Sequence, residues 1–313
     1  MYKSSRGWLN GLIGVIIFSG SLPATRVAVA GFTPEFLTVA RAAIAGFLAL
    51  LVLKILKEKW PKRTHVGSLV IVSLGVVIGF PLCTALALQY ISASYSIVFI
   101  ALLPLSTAIF GVIRGEQWPR PLFWLFALLG SSGVMGFMLL KVQGENSMSG
   151  NLWMLAAITV CGLGYAEGAK LSRQLGGWQV ISWALVISLP LMLILSYVYL
   201  PQSFSQITIS ELLALLYVAF FSMFLGFIFW YQGLAQGGVL AVGQLQLLQP
   251  FLGLGLSAWL LNETVSPVMW GISLMVVICV AGAKKFSVYP SSTNSINNVK
   301  LNSHRFCRHL LVR

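Results

Sequence analysis

Aspartate is absent from this chain, and its seven acidic residues are all glutamates. Charged residues of both signs reach only 9%, where a soluble domain carries about 25%, so most of the surface must face something other than water. The three histidines, His65, His304 and His309, lie outside the long apolar runs. With neither aspartate nor histidine inside those runs, no catalytic triad, acid pair or metal centre can be assembled there, which argues against an intramembrane enzyme. Cysteine is sparse: Cys83, Cys161 and Cys279 are isolated in apolar runs and Cys307 lies in the polar C-terminal stretch. That distribution gives packing residues and no disulfide framework. Cys307 with His304 and His309 offers three metal ligands without a fourth, so no metal or other cofactor is expected. Neither Gly-Lys-Ser nor Gly-Lys-Thr occurs, so there is no phosphate-cradling loop and no direct coupling to ATP.

What is abundant is apolar: 58% of 313 residues. A membrane span needs about 20 of them in a row, and ten stretches qualify, at 8–29, 35–56, 66–88, 93–113, 120–140, 151–172, 178–200, 211–233, 239–261 and 265–286. The expected fold is therefore all-α and integral to the membrane, with short connections and no soluble domain. The net charge of +13 could suggest nucleic acid, but the basic residues are spread between the spans. Lys3, Arg6, the Lys54–Arg63 segment, Arg114, Arg120, Lys170, Arg173, Lys284 and Lys285 all fall on one side of a ten-span layout, and Lys141 stands opposite them. By the positive-inside rule both termini are cytoplasmic. The first span resembles a secretory leader, with Ala28-Val29-Ala30 as a cleavage-like site, yet Pro23 and Arg26 interrupt it and it reads as a retained span. Thr33-Pro34-Glu35 and Thr208-Ile209-Ser210-Glu211 carry helix-start chemistry. Residues 287–313 turn to Ser, Asn and basic residues, as in a disordered cytoplasmic tail.

Two stretches share one plan. Ser94–Glu116 and Leu240–Glu263 are both apolar, with a proline inside (Pro104, Pro250) and a glutamate at the end, 12 and 13 positions after the proline. They are spans four and nine, an offset of five. A repeat with an odd number of spans emerges on the opposite face, so the second copy must be inverted, and inverted repeats give alternating access a structural basis. The copies are residues 1–145 and 146–286.

With its Pro104…Gly115-Glu116 and Pro250…Asn262-Glu263 pair, its Thr38-Val39-Ala40-Arg41-Ala42-Ala43 opening of span two and its ten-span layout, the chain resembles the drug/metabolite transporter superfamily, EamA type, over about residues 8–286. The resemblance implies a carrier in the bacterial inner membrane, in contact with lipid, that often exports amino acids, other metabolites or toxic compounds, and it allows a homodimer. An importer of the same fold, and a sensor or assembly subunit that does not transport, remain as alternatives. The first copy spaces proline and glutamate one residue closer than the second, and the basic tail lies outside the family pattern.

Candidate site residues follow from cost. Polar groups within a span are costly and hence informative. Gln246 and Gln249 are three apart on one helix face and either bind a solute or bond neighbouring helices; Gln244 points away from Gln249. Trp230 and Tyr95 either anchor at the membrane interface or, lying somewhat deeper, meet an organic solute. Arg41 either attracts an anionic group or extends towards the headgroups. Glu167 is the one acid well inside a span and the candidate proton carrier, with Lys170 one turn away as a competing helix partner. Glu116 and Glu263 end their spans and suit helix ends or gates. Pro104 and Pro250 free the carbonyls of Ile100 and Gln246, which must then find partners or line a wet cavity. Gly75-x-x-x-Gly79 and Gly164-x-x-x-Gly168 permit close helix approach.

Overall fold

The structure, a computed structural model, describes residues 2–91, 96, 99–141, 147–201, 203–204, 207–253 and 267–287. All regular structure among them is helical. In order these helices are α1 (Ser5–Ala28), α2 (Pro34–Ile55), α3 (Arg63–Ala87), α4 (Leu103–Ile113), α5 (Pro121–Lys141), α6 (Met148–Ser172), α7 (Gly177–Val198), α8 (Ile209–Gly237), α9 (Val239–Gly253) and α10 (Pro267–Phe286). Six of them, α1, α2, α3, α6, α7 and α8, are long and apolar enough to cross a bilayer.

Local chemistry sets the helix starts. The Thr33 hydroxyl accepts from the Phe36 amide at 3.3 Å with Pro34 in the first turn. Thr208 and Glu211 form a reciprocal box, the Thr208 amide donating to Glu211 Oε2 at 2.7 Å and the Glu211 amide to Thr208 Oγ1 at 3.4 Å. Each arrangement satisfies amide groups that would otherwise be orphaned at a helix end.

The bundle is apolar on its outside and keeps its polar groups within. Leu51, Ile194 and Leu274 are exposed, whereas Arg41, Glu167, Gln244 and Gln246 are buried. Successive helices run in opposite directions. One end gathers Gly7 against Gly237, Glu58 against Gln179, Arg114 against Glu167 and Lys284 over Trp8. The other brings Arg26 to the Leu88 carbonyl, Gly31 to Glu211 and Gly150 to Ile91. The first is called the basic end below.

The main packing pairs are α1 with α8, α2 with α7, α3 with α6, α4 with α6 and α9, and α5 with α10. In two of these interfaces a glycine closes on the backbone of a facing glycine. A Cβ on Gly75 of α3 would lie 2.6 Å from the Val160 carbonyl and 3.1 Å from the Gly164 Cα of α6. A Cβ on Gly233 of α8 would lie 2.6 Å from the Gly11 amide of α1. Because the obstacle is backbone, no rotamer change relieves it. Gly75→Val is therefore expected to destabilise the bundle by about 1–3 kcal/mol, read as a lower melting midpoint of the detergent-purified protein; an unchanged midpoint would mean that α3 and α6 do not touch there.

Four helices depart from regular geometry. α1 breaks at Gly20. α3 and α8 each widen into π-helical turns, at Ser73–Gly79 and Tyr217–Leu225. α9 tightens into a 3-10 stretch at Gln244–Leu248, just before Pro250. Ahead of α4, Pro104 follows an irregular turn at Ala101–Leu102, where the Leu102 amide bonds the Phe99 carbonyl at 2.9 Å.

Candidate functional site

Those irregularities converge on one place. A narrow, partly open cavity lies within the bundle, with about 460 Å³ of empty volume once the space continuous with its surroundings is counted. From the first half of the chain its wall takes Phe18 and Ser21 on either side of the α1 break, Val76 in the π turn of α3 and Phe80 and Pro81 just beyond it, and Ile100 and Leu103 around the turn before Pro104. The second half supplies Ser222 in the π turn of α8, Phe227 shortly after it, and Gln249 at the end of the 3-10 stretch. Among the described residues, Arg41 and Tyr165 reach the cavity from uninterrupted helix. A regular helix seals its backbone and turns its side chains out at fixed angles, whereas a break or a widened turn re-aims them, and π turns concentrate at functional sites for that reason.

The polar part of the wall is small. The Arg41 guanidinium is buried, at 6% exposure, and donates through Nη2 to Ser222 Oγ at 3.5 Å, the outer limit of a hydrogen bond. Its Nε–H has no partner. Ser222 and Ser21 share a hydrogen bond of 2.9 Å, which joins α8 to the short helix beyond the α1 break. Gln249 donates to the Phe18 carbonyl at 3.3 Å. The apolar part is aromatic: Phe18 and Phe227 pack edge to face at 5.0 Å, and Tyr165 meets Phe227 at 5.9 Å.

The remaining sequence candidates occupy different positions. Trp230 is fully buried behind that wall, 5.5 Å from the Tyr165 ring and 6.2 Å from Phe18. Gln246 is fully buried beside the Tyr165 hydroxyl, and neither atom of its amide makes a well-formed hydrogen bond. Gln244 is likewise buried and unpaired. Pro250 follows Gln249 directly, and Pro104 is buried at the start of α4. Tyr95 and Glu263 lie outside the described residues.

Glu167 lies away from the cavity, at the basic end. It is 1% exposed and accepts from Ser68 of α3 and Arg114 at the end of α4. Its ion-pair partner is thus Arg114 and not Lys170, one helix being joined to another rather than to itself. A second pair, Arg173 with Glu116, ties the same two helix ends together. Sequence reasoning missed Arg114 in this role, as well as Ser21, Ser222 and the aromatic wall. Among the described residues, no group of His, Cys, Asp or Glu could hold a metal ion.

The comparisons agree with this architecture. A solved crystal structure superposes with a TM-score of 0.73, at 19% identity, over 90% of this chain and 98% of its own, so the two share a fold. The "Uncharacterized transporter YdeK" of Bacillus subtilis (strain 168) is 58% identical over 287 residues, covering 92% of this chain and 100% of that protein. The pattern of the EamA-like transporter family matches twice, over residues 5–139 and 148–283. An all-α bundle of long apolar helices with a family match over nearly its whole length leaves one conclusion: this chain belongs to the EamA-like transporter family of membrane proteins.

Proposed function

We propose that the protein is a secondary carrier that moves a small organic metabolite out of the bacterial cytoplasm by alternating access, through ten spans arranged as two inverted five-span copies with both termini inside. The observation that carries this reading is the cavity, a partly open space within the bundle walled by both halves of the chain. A solute bound there can be released to either side when the halves rock against each other.

The packing supports the duplication. Exchange each helix for the one five positions away, and α1 with α8 becomes α6 with α3, while α2 with α7, α4 with α9 and α5 with α10 map onto themselves. The two glycine interfaces exchange with one another, and so do the π turns of α3 and α8. In this reading the Arg114–Glu167 and Arg173–Glu116 pairs hold the cytoplasmic side shut, and Glu167 is the coupling residue, because neutralising it by a proton removes the attraction that closes that side. Arg41 and Gln249 contact the solute, and Gln246 and Trp230 support the aromatic wall from behind.

Proteoliposome flux tests the proposal. Purified protein should move at least one solute of a broad panel against a control without protein, under an imposed pH gradient or by counterflow; movement of none under any gradient would favour a sensor or assembly role. Gln249→Ala should weaken solute affinity by about two- to tenfold, the value of one hydrogen bond, without lowering membrane yield. Unchanged affinity would make the Gln249 amide a packing group only.

A further inference from the structure

We infer that the cavity selects small, apolar monocarboxylates that carry no cationic group, and that Arg41 is the residue that recognises the carboxylate; the inference rests on the cavity being the transport site. Among the described residues the wall offers a single charge. Arg41 is positive at any physiological pH and is nine-tenths buried. None of the acids among the described residues, Glu35, Glu58, Glu116, Glu167 and Glu211, forms an ion pair with it, the two ion pairs found there being Arg114–Glu167 and Arg173–Glu116.

A guanidinium has five N–H donors in a planar fork. The Arg41 hydrogen bond to Ser222 is at the distance limit, and the Arg41 Nε–H is free. Burying an unpaired charge is expensive, and beyond its long contact with Ser222 this one faces empty volume. The group that completes it is planar, singly negative and able to accept two parallel N–H bonds, which describes a carboxylate. A phosphate monoester would bring a second negative charge with no second cation to meet it.

The rest of the wall decides what is attached to that carboxylate. Phe18, Phe80, Ile100, Leu103 and Phe227 present rings and branched carbons, which suit a small aromatic or branched aliphatic body. Among the described residues no carboxylate lines the cavity, so an ammonium on the ligand would be desolvated without a counter-charge there. Amines and zwitterionic amino acids are disfavoured for the same reason that the acid is favoured.

Four probes of one shape separate these cases: phenylacetate, phenylacetamide, phenethylamine and phenylalanine, each tested for binding to detergent-purified protein and for counterflow in proteoliposomes. Phenylacetate should bind at least about tenfold more tightly than the other three, the scale of a hydrogen-bonded charge. Arg41→Gln should erase the preference of acid over amide. Arg41→Lys, which keeps the charge and loses the fork, should retain part of it, so a variant that folds poorly does not leave the question open. Preference for phenylalanine or the amine, equal binding of acid and amide, or a preference that survives in Arg41→Gln would overturn the inference, as would failure of all four to bind while another solute is carried. Failure of every solute to move would instead count against the carrier reading itself.

Discussion

Ser222→Trp is expected to reduce solute flux to the level of protein-free vesicles while the protein still inserts and folds. Ser222 sits in the π turn of α8 and faces the cavity, where it touches Arg41 and Ser21. Over-filling a close-packed core costs about 1–3 kcal/mol because neighbours must move. If the cavity is the transport site, the added indole takes the place of the solute, so the solute bears most of that penalty. The variant also breaks the Ser21–Ser222 hydrogen bond, a loss of about 1 kcal/mol, so Ser222→Ala serves as the control and should keep most of the flux. Vesicle transport and size-exclusion profiles together decide the matter. A folded Ser222→Trp protein that carries solute at the native rate would mean that the path runs elsewhere.

The second large effect is expected at the basic end. Glu167→Gln should cut proton-gradient-driven flux by at least about tenfold while solute exchange persists. Glutamine has the shape of the protonated acid, keeps an acceptor for Ser68 and removes the charge that holds Arg114. Exchange needs the two sides to open in turn with solute bound, and a permanently neutral residue 167 still permits that. Net gradient-driven movement needs a group that loads and releases the proton, which glutamine cannot do. Arg114 reaches the surface, with its side chain 34% exposed, so its guanidinium can turn to other acceptors there once the partner charge is gone. Arg114→Gln, which loosens the same contact but leaves the carboxylate, should retain gradient dependence. If Glu167→Gln alters neither driven flux nor exchange, Glu167 has no part in coupling. If it abolishes both, the contact is a structural tie and not a coupling site.

The fold was legible where the bilayer dictates it. Hydrocarbon thickness forces long apolar runs, so α2 (Pro34–Ile55) and α7 (Gly177–Val198) fall almost where hydropathy puts them, at 35–56 and 178–200. The Thr33 and Thr208 caps were readable because capping is local in sequence. Arg41 was readable because a charge within a span is costly enough to be conspicuous.

The missed residues share a physical reason. Serine in an apolar helix is ordinarily silent, its hydroxyl folded back onto the carbonyl four residues earlier, as Ser182 and Ser172 do. Only the break at Gly20 and the π turn of α8 bring Ser21 and Ser222 into the cavity, and no residue pattern in Tyr217–Leu225 announces a widened turn. Glu167 pairs with a residue 53 positions away in sequence, which helical spacing cannot find, whereas Lys170 at i+3 was visible and was not the partner. Gln246 and Gln249 illustrate the same limit: α-helical spacing puts them on one face, but the 3-10 stretch before Pro250 sends Gln249 into the cavity and leaves Gln246 buried beside Tyr165.

Alternating access through this cavity can be tested with a single cysteine at position 222, in a background where Cys83, Cys161, Cys279 and Cys307 are replaced. The variant is reconstituted in oriented vesicles and labelled with a membrane-impermeant maleimide from one side or the other, with and without a transported solute. A carrier that works by alternating access predicts that the same cysteine reacts from both sides, with the solute shifting the balance between them. Reaction from one side only, under every solute and gradient, would contradict it.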